Sequence, residues 1–168
     1  MIPGLPIDAL LKAHVAISLV AIAAGLLAMG ALAAGRWLPR LQALFLGTTA
    51  LTSVTGFFFP FGGITPAFAF GILSLVALLV AFLALPRRPK SRGAQIAFSA
   101  AATLALYLNL VVLVVQSFQK LPSLQLLAPT QSEPPFLAVQ GAVLVLAVLI
   151  GALASRRPRF LTVGTTPS

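Results

Sequence analysis

The chain has 168 residues, of which 60% are hydrophobic and only 8% charged. A water-soluble domain carries roughly 25% charged residues, so there is too little polar surface here to coat a globule, and disorder is excluded by the same excess of apolar residues. The formal net charge is +9, but the basic residues fall in short runs between apolar stretches, which suits membrane orientation and argues against a nucleic-acid partner.

Several chemistries are excluded at once. Without cysteine there are no disulfides, thiolate zinc sites, iron–sulfur clusters or thiol nucleophiles in this chain. The single histidine, His14, rules out a multi-histidine metal site or a bis-histidine haem within one chain. The two acids, Asp8 and Glu133, lie near the starts of different apolar segments, and paired-carboxylate catalysis would require them to meet. No cofactor and no metal is expected.

The N-terminal Met-Ile-Pro-Gly-Leu-Pro lacks the basic region of a signal peptide, so the first apolar segment reads as a retained span. A hydrocarbon layer of about 30 Å needs roughly 20 apolar residues in helical form. Five stretches qualify: 13–34, 41–60, 64–85, 94–118 and 136–154, none containing Asp, Glu, Lys or Arg. Helices are expected because lipid offers backbone groups no partner, and no stretch alternates like a barrel strand. The fold class is therefore all-α: an integral-membrane five-helix bundle forming one domain over 1–155, with 156–168 as a basic tail.

Span one carries His14, Ser18, Ala21, Gly25 and Ala28 in a four-three-four-three stripe along one face, and small residues there admit a close neighbour helix. His14 at its head is either an interfacial histidine bonded to a carbonyl or headgroup, or a ligand contact. Arg36 and Arg40 follow. On span two, Thr48, Thr52 and Thr55 share an arc with Thr49 and Ser53 beside it. Such hydroxyls can bond back to their own helix, so the stripe serves packing or lines a polar path. The span ends in the aromatic run Phe57-Phe58-Phe59-Pro60-Phe61, an interfacial anchor whose rings also suit a planar ligand. Gly62-Gly63 predicts a tight turn, making spans two and three antiparallel neighbours.

Between spans three and four lie Arg87, Arg88, Lys90 and Arg92. On span four, Asn109 and Gln116 share one face, while Ser99, Thr103 and Tyr107 share nearly the opposite one. The amide of Asn109 is either a helix–helix clasp or a ligand contact. The long connection 119–134 mixes leucines with Pro and Ser, as an interfacial amphipathic segment would. Thr130 and Glu133 have capping-box spacing before Pro134-Pro135, and Glu133 suits a helix N-terminus. Gln140 lies two turns deeper on the same face. Arg156, Arg157 and Arg159 follow span five.

Nine of the eleven basic residues thus fall in three alternate connections, while Lys12 and Lys120 balance Asp8 and Glu133 on the other side. The positive-inside rule then places the N-terminus outside and the C-terminus in the cytoplasm. In that frame His14, Thr52, Thr55, Asn109, Gln116, Glu133 and Gln140 lie in the outer half. With Phe58 they are the candidate ligand-binding residues of an outer-leaflet pocket roofed by 119–134.

Ser53-Val-Thr-Gly-Phe-Phe-Phe-Pro-Phe61, Ala105-Leu-Tyr-Leu-Asn109 and Ala128-Pro-Thr-Gln-Ser-Glu-Pro-Pro-Phe136 resemble small multi-pass bacterial inner-membrane proteins of uncharacterised families. The resemblance covers most of the chain and implies a bacterial inner membrane, with no activity to carry over. Three function classes stay open. The first is a non-catalytic accessory subunit, or a binder of a lipid, quinone or isoprenoid, with membrane lipids, a larger membrane complex or a second copy of itself as partners. The second is a small transporter or channel for a neutral solute or proton. The third is an enzyme using His14 and Glu133.

Overall fold

The computed structural model describes residues 7–59 and 66–156. Among these the chain is all helix: α1 (Ile7–Ala33), α2 (Pro39–Gly56), α3 (Pro66–Ala84), α4 (Arg92–Lys120), the short α5 (Pro122–Leu127) and α6 (Pro134–Ala154), with a 3-10 turn at Leu85–Arg87. Helices α1, α4, α6 and α3 with its 3-10 turn are each long and apolar enough to cross a membrane. The protein is therefore a helical membrane protein.

Helix boundaries follow from local chemistry. Helix α1 begins well before the apolar stretch at 13–34, because Asp8 and Lys12, one turn apart, pair at 2.7 Å and continue the helix into polar sequence. It ends in a Schellman motif: Gly35 takes φ 78°, with bonds from Arg36 N to Ala31 O and from Gly35 N to Leu32 O. The left-handed backbone suits glycine because a Cβ would crowd the following carbonyl. Pro39 then opens α2 where its missing N–H costs nothing. The Gly62-Gly63 turn and the tail beyond Arg156 lie outside the described residues, but α2 and α3 are neighbours, and the Phe57 ring lies against Gly71.

Helix α4 is the centre. Helices α6, α1, α2 and α3 form an arc around it, successive members touching each other and all touching α4. The core joins Phe98, Ala102, Ala105 and Leu106 of α4 to Ala28, Met29 and Leu32 of α1, Phe45 and Leu46 of α2, and Leu78 and Ala81 of α3. Lipid is as apolar as Leu, so close packing and hydrogen bonds, rather than water exclusion, hold such helices together. Gly25 shows how close they come: a Cβ there would lie 2.7 Å from Phe45 Cδ2 and 2.8 Å from Leu106 Cδ1. Helix α6 seats Gly151 against Thr103 in the same manner.

Helix α2 inverts the usual pattern. Beside Phe45 and Leu46 it buries Gln42, Thr49, Thr52 and Ser53, while Leu44, Leu51 and Val54, and Phe58 just beyond its end, are exposed. The expected arc of Thr48, Thr52 and Thr55 is rotated slightly: Thr49 is fully buried, and Thr48 instead bonds back to Leu44 O at 2.6 Å.

Candidate functional site

The α1–α2 seam ends in a cluster of polar groups. His14 Nδ1 lies 2.9 Å from Thr55 Oγ1, and the Thr55 hydroxyl donates to Leu51 O at 2.8 Å. A hydroxyl has one proton. With that proton on Leu51, the imidazole Nδ1–H is the donor to Thr55, and Nε2 carries the lone pair. Ser18 donates to His14 O at 2.7 Å and approaches Thr52 Oγ1 at 3.5 Å. The ring meets Phe59 edge to face at 5.2 Å, and Gly56, lacking a Cβ, leaves room beside it. Nε2 has no hydrogen-bond partner among the described residues and is not enclosed.

Polar groups continue along α2. Thr49 accepts from Asn109 Nδ2 at 3.2 Å, joining α2 to α4. Gln42, 1% exposed, donates to Ala28 O at 3.1 Å, while its Oε1 is enclosed and unpartnered.

The remaining sequence candidates lie apart from this seam. Glu133 is the N-cap residue of α6, but Pro134 and Pro135 offer no N–H to cap. Its carboxylate turns back instead, accepting from Thr130 N at 3.1 Å, Thr130 Oγ1 at 2.9 Å and Ser132 N at 3.0 Å. Desolvation alone would raise its pKa, but these hydrogen bonds together hold it below the usual glutamate range. No ion pair or hydrogen bond among the described residues joins it to His14. Gln131, at φ 59°, anchors the same loop by donating to Val115 O at 2.9 Å. Gln140 reaches Val111 O at 3.5 Å, Gln116 is exposed, and Phe58 faces outward. Helix α5 packs on α4, with Leu124 against the Val114–Phe118–Phe136 cluster. The structure thus gathers His14, Thr52 and Thr55 on one seam and links Asn109 to Thr49 of the same helix. Glu133, Gln140 and Gln116 sit elsewhere.

A second polar site was not foreseen from the sequence. At the end where the α1–α2 and α3–α4 connections and the α6 C-terminus converge, Arg88 is only 8% exposed. Its guanidinium lies over Trp37, 3.6 Å from the ring centroid, and Nη1 donates to Gln95 Oε1 at 3.1 Å. Gln95 Nε2 donates to Ala154 O at 2.7 Å, as does Ser99 Oγ at 2.9 Å. These donors satisfy a carbonyl that the end of α6 leaves without an intrahelical partner. Arg88 Nε is enclosed with no partner. Burial lowers the Arg88 pKa, yet a guanidinium starts so far above neutrality that it stays charged. In the sequence Arg88 is one of four basic residues in a short run. The distinguishing signal is on α4, where Gln95 and Ser99 are four residues apart on one face just after the basic run.

Protein-family models, curated proteins and solved structures were all compared with the chain, and none of them matches it. Function is therefore argued from its own residues.

Proposed function

We propose that this protein crosses a bacterial inner membrane five times with its N-terminus outside, and acts without catalysis as a binder of an amphipathic ligand at the His14 seam. The fifth span would be α2. Beyond Arg40 at its start, its low hydropathy comes largely from the inward residues Gln42, Thr49, Thr52 and Ser53, and the outward surface of Leu44, Leu51 and Val54 suits lipid. The basic connections collect at one end, as the positive-inside rule requires of a cytoplasmic face.

The observation that carries the binding role is the state of His14. One ring nitrogen is bonded to Thr55, and the other, an acceptor when Nδ1 carries the proton, has no partner among the described residues, beside Phe59 at the end of the seam. An acceptor selects a donor, so the ligand class is an apolar chain or ring bearing a hydroxyl, such as a quinol, a prenyl alcohol or a lipid with a free hydroxyl. A larger membrane complex that presents such a ligand is a compatible setting for an accessory subunit.

The test is thermal stabilisation of the purified protein by farnesol and by a quinol, against farnesyl acetate and the corresponding quinone, which lack the donor. Binding at 100-fold excess over Kd adds about 2.7 kcal/mol by mass action. Stabilisation by the hydroxyl forms alone, lost in His14→Ala and weakened in Asn109→Leu, supports the proposal; full retention in the double variant removes it.

A second reading is favoured by the polar inward face of α2, which runs from Thr55 through Thr52 and Thr49 to Gln42. A small transporter for a neutral solute would use such a path. Uptake of a neutral solute such as glycerol into proteoliposomes, abolished by Thr49→Val, would select it over binding.

A further inference from the structure

We propose that Arg88 is the core of a phosphate-binding site at the basic end of the bundle. Arg88, a residue only 8% exposed, carries a full positive charge into a poorly solvated position, where charges are found paired with opposite ones. Its partners among the described residues are neutral: the Trp37 ring and the Gln95 amide oxygen. The chain has only two acidic side chains, and both are engaged far away. Asp8 pairs with Lys12 in the first turns of α1, and Glu133 is held by Thr130 and Ser132 before α6. Both lie at the opposite end of the helices from Arg88. Neither acidic side chain can be the counter-ion, and no other anionic group lies beside Arg88 among the described residues, which points to an anion from outside the fold.

The geometry leaves a place for it. Trp37 covers one face of the guanidinium, Nη1 is spent on Gln95, and Nε is enclosed. Nη2 has no partner among the described residues and is not enclosed, so it is the nitrogen that meets the anion. Arg87, Lys90 and Arg92, all exposed, lie within four residues of Arg88 in the chain and add positive charge to the same connection. A phosphate accepts several such donors at once. The chemistry is shared by two sources, the headgroup of an anionic phospholipid and a soluble phosphate, and the experiment separates them.

Native mass spectrometry of the purified full chain, delipidated and offered dioleoylphosphatidylglycerol with dioleoylphosphatidylcholine, is the test. The expected result is one anionic lipid retained per chain in preference to the zwitterionic one. Arg88→Gln should weaken retention by about thirtyfold or more, as loss of a charge-assisted contact does. Arg87→Gln and Lys90→Gln should weaken it by about fivefold or less, the worth of a charge near a membrane surface. Gln95→Glu would place a carboxylate against Arg88 and supply the missing counter-charge within the fold. It should abolish the lipid preference, at a cost in thermal stability because the amide nitrogen that donates to Ala154 O becomes an acceptor, and it decides the matter should Arg88→Gln fail to fold. If inorganic phosphate displaces the lipid and protects against unfolding, the site stands with a soluble source. Equal retention of both lipids by the wild type, equal losses for Arg87→Gln and Arg88→Gln, or unchanged retention by Gln95→Glu would each overturn it.

Discussion

Replacing Gln95 with Leu tests whether the Arg88 network holds the basic end together. Leu is close to Gln in volume, so packing changes little, and the loss is confined to hydrogen bonds. Gln95 makes three: from Arg88 Nη1 at 3.1 Å, to Ala154 O at 2.7 Å and to Ser99 Oγ at 3.2 Å. Ala154 O keeps its second donor, Ser99, so that carbonyl is not orphaned. Side-chain bonds between membrane helices average about 0.6 kcal/mol. The bond to Arg88 differs, because its loss leaves Nη1 partnerless beside an Nε that already is; bonds to charged groups contribute about 1.5–3 kcal/mol. Together the variant should lose about 2–4 kcal/mol. Ser99→Ala, which removes two such bonds but leaves Ala154 O bonded to Gln95, should lose about 1 kcal/mol. Unfolding by sodium dodecyl sulfate in mixed micelles reads both, and Trp37, the single tryptophan, reports from within the site. A Gln95→Leu protein within about 0.5 kcal/mol of wild type, or a larger loss in Ser99→Ala, would refute the reasoning.

Gly25→Ala should destabilise by about 1–3 kcal/mol through overpacking, since the new methyl meets the Phe45 and Leu106 side chains below 3 Å; the same unfolding titration measures it. Gly35→Ala should cost about 1–2 kcal/mol for an L-residue in the left-handed region at φ 78°, and should change Trp37 fluorescence because this turn delivers Trp37 to Arg88. Glu133 has a depressed pKa in the fold. Its contribution is therefore present above the unfolded-state pKa and lost as pH falls through the folded value. Stability measured from neutral into the acid range should fall in the wild type and fall less in Glu133→Gln.

The apolar runs made the long helices legible, because a membrane helix must be apolar over its whole length. The opposed faces of α4 were legible too: Ser99 and Thr103 face α6, and Asn109 faces Thr49 of α2. Periodicity alone carried that inference. Convergence was not legible, because the partner of a polar residue depends on which helices touch. Glu133 sits before a helix like any capping residue, and only the structure shows its carboxylate turned back onto Thr130. Arg88 was hidden by its neighbours. Four basic residues in one short run are equivalent to an orientation rule, and the 3-10 turn that buries one of them beneath Trp37 leaves no trace in composition.

The inverted polarity of α2 also bears on the order in which the chain is made. Polar groups entering an apolar medium are costly until they find partners. Those of α2 find several on the helix synthesised just before it: Gln42 bonds Ala28 O, 14 residues earlier, and Thr55 meets His14, 41 residues earlier. The first two helices therefore form a hairpin that satisfies much of its own hydrogen bonding before any later helix exists. Asn109 must reach back 60 residues to Thr49, and Gln95 waits 59 residues for Ala154 O. On the five-span reading, the early hairpin would hold several of its side-chain bonds within itself during biogenesis, while α4 would carry an open amide at its basic end until the last helix arrives.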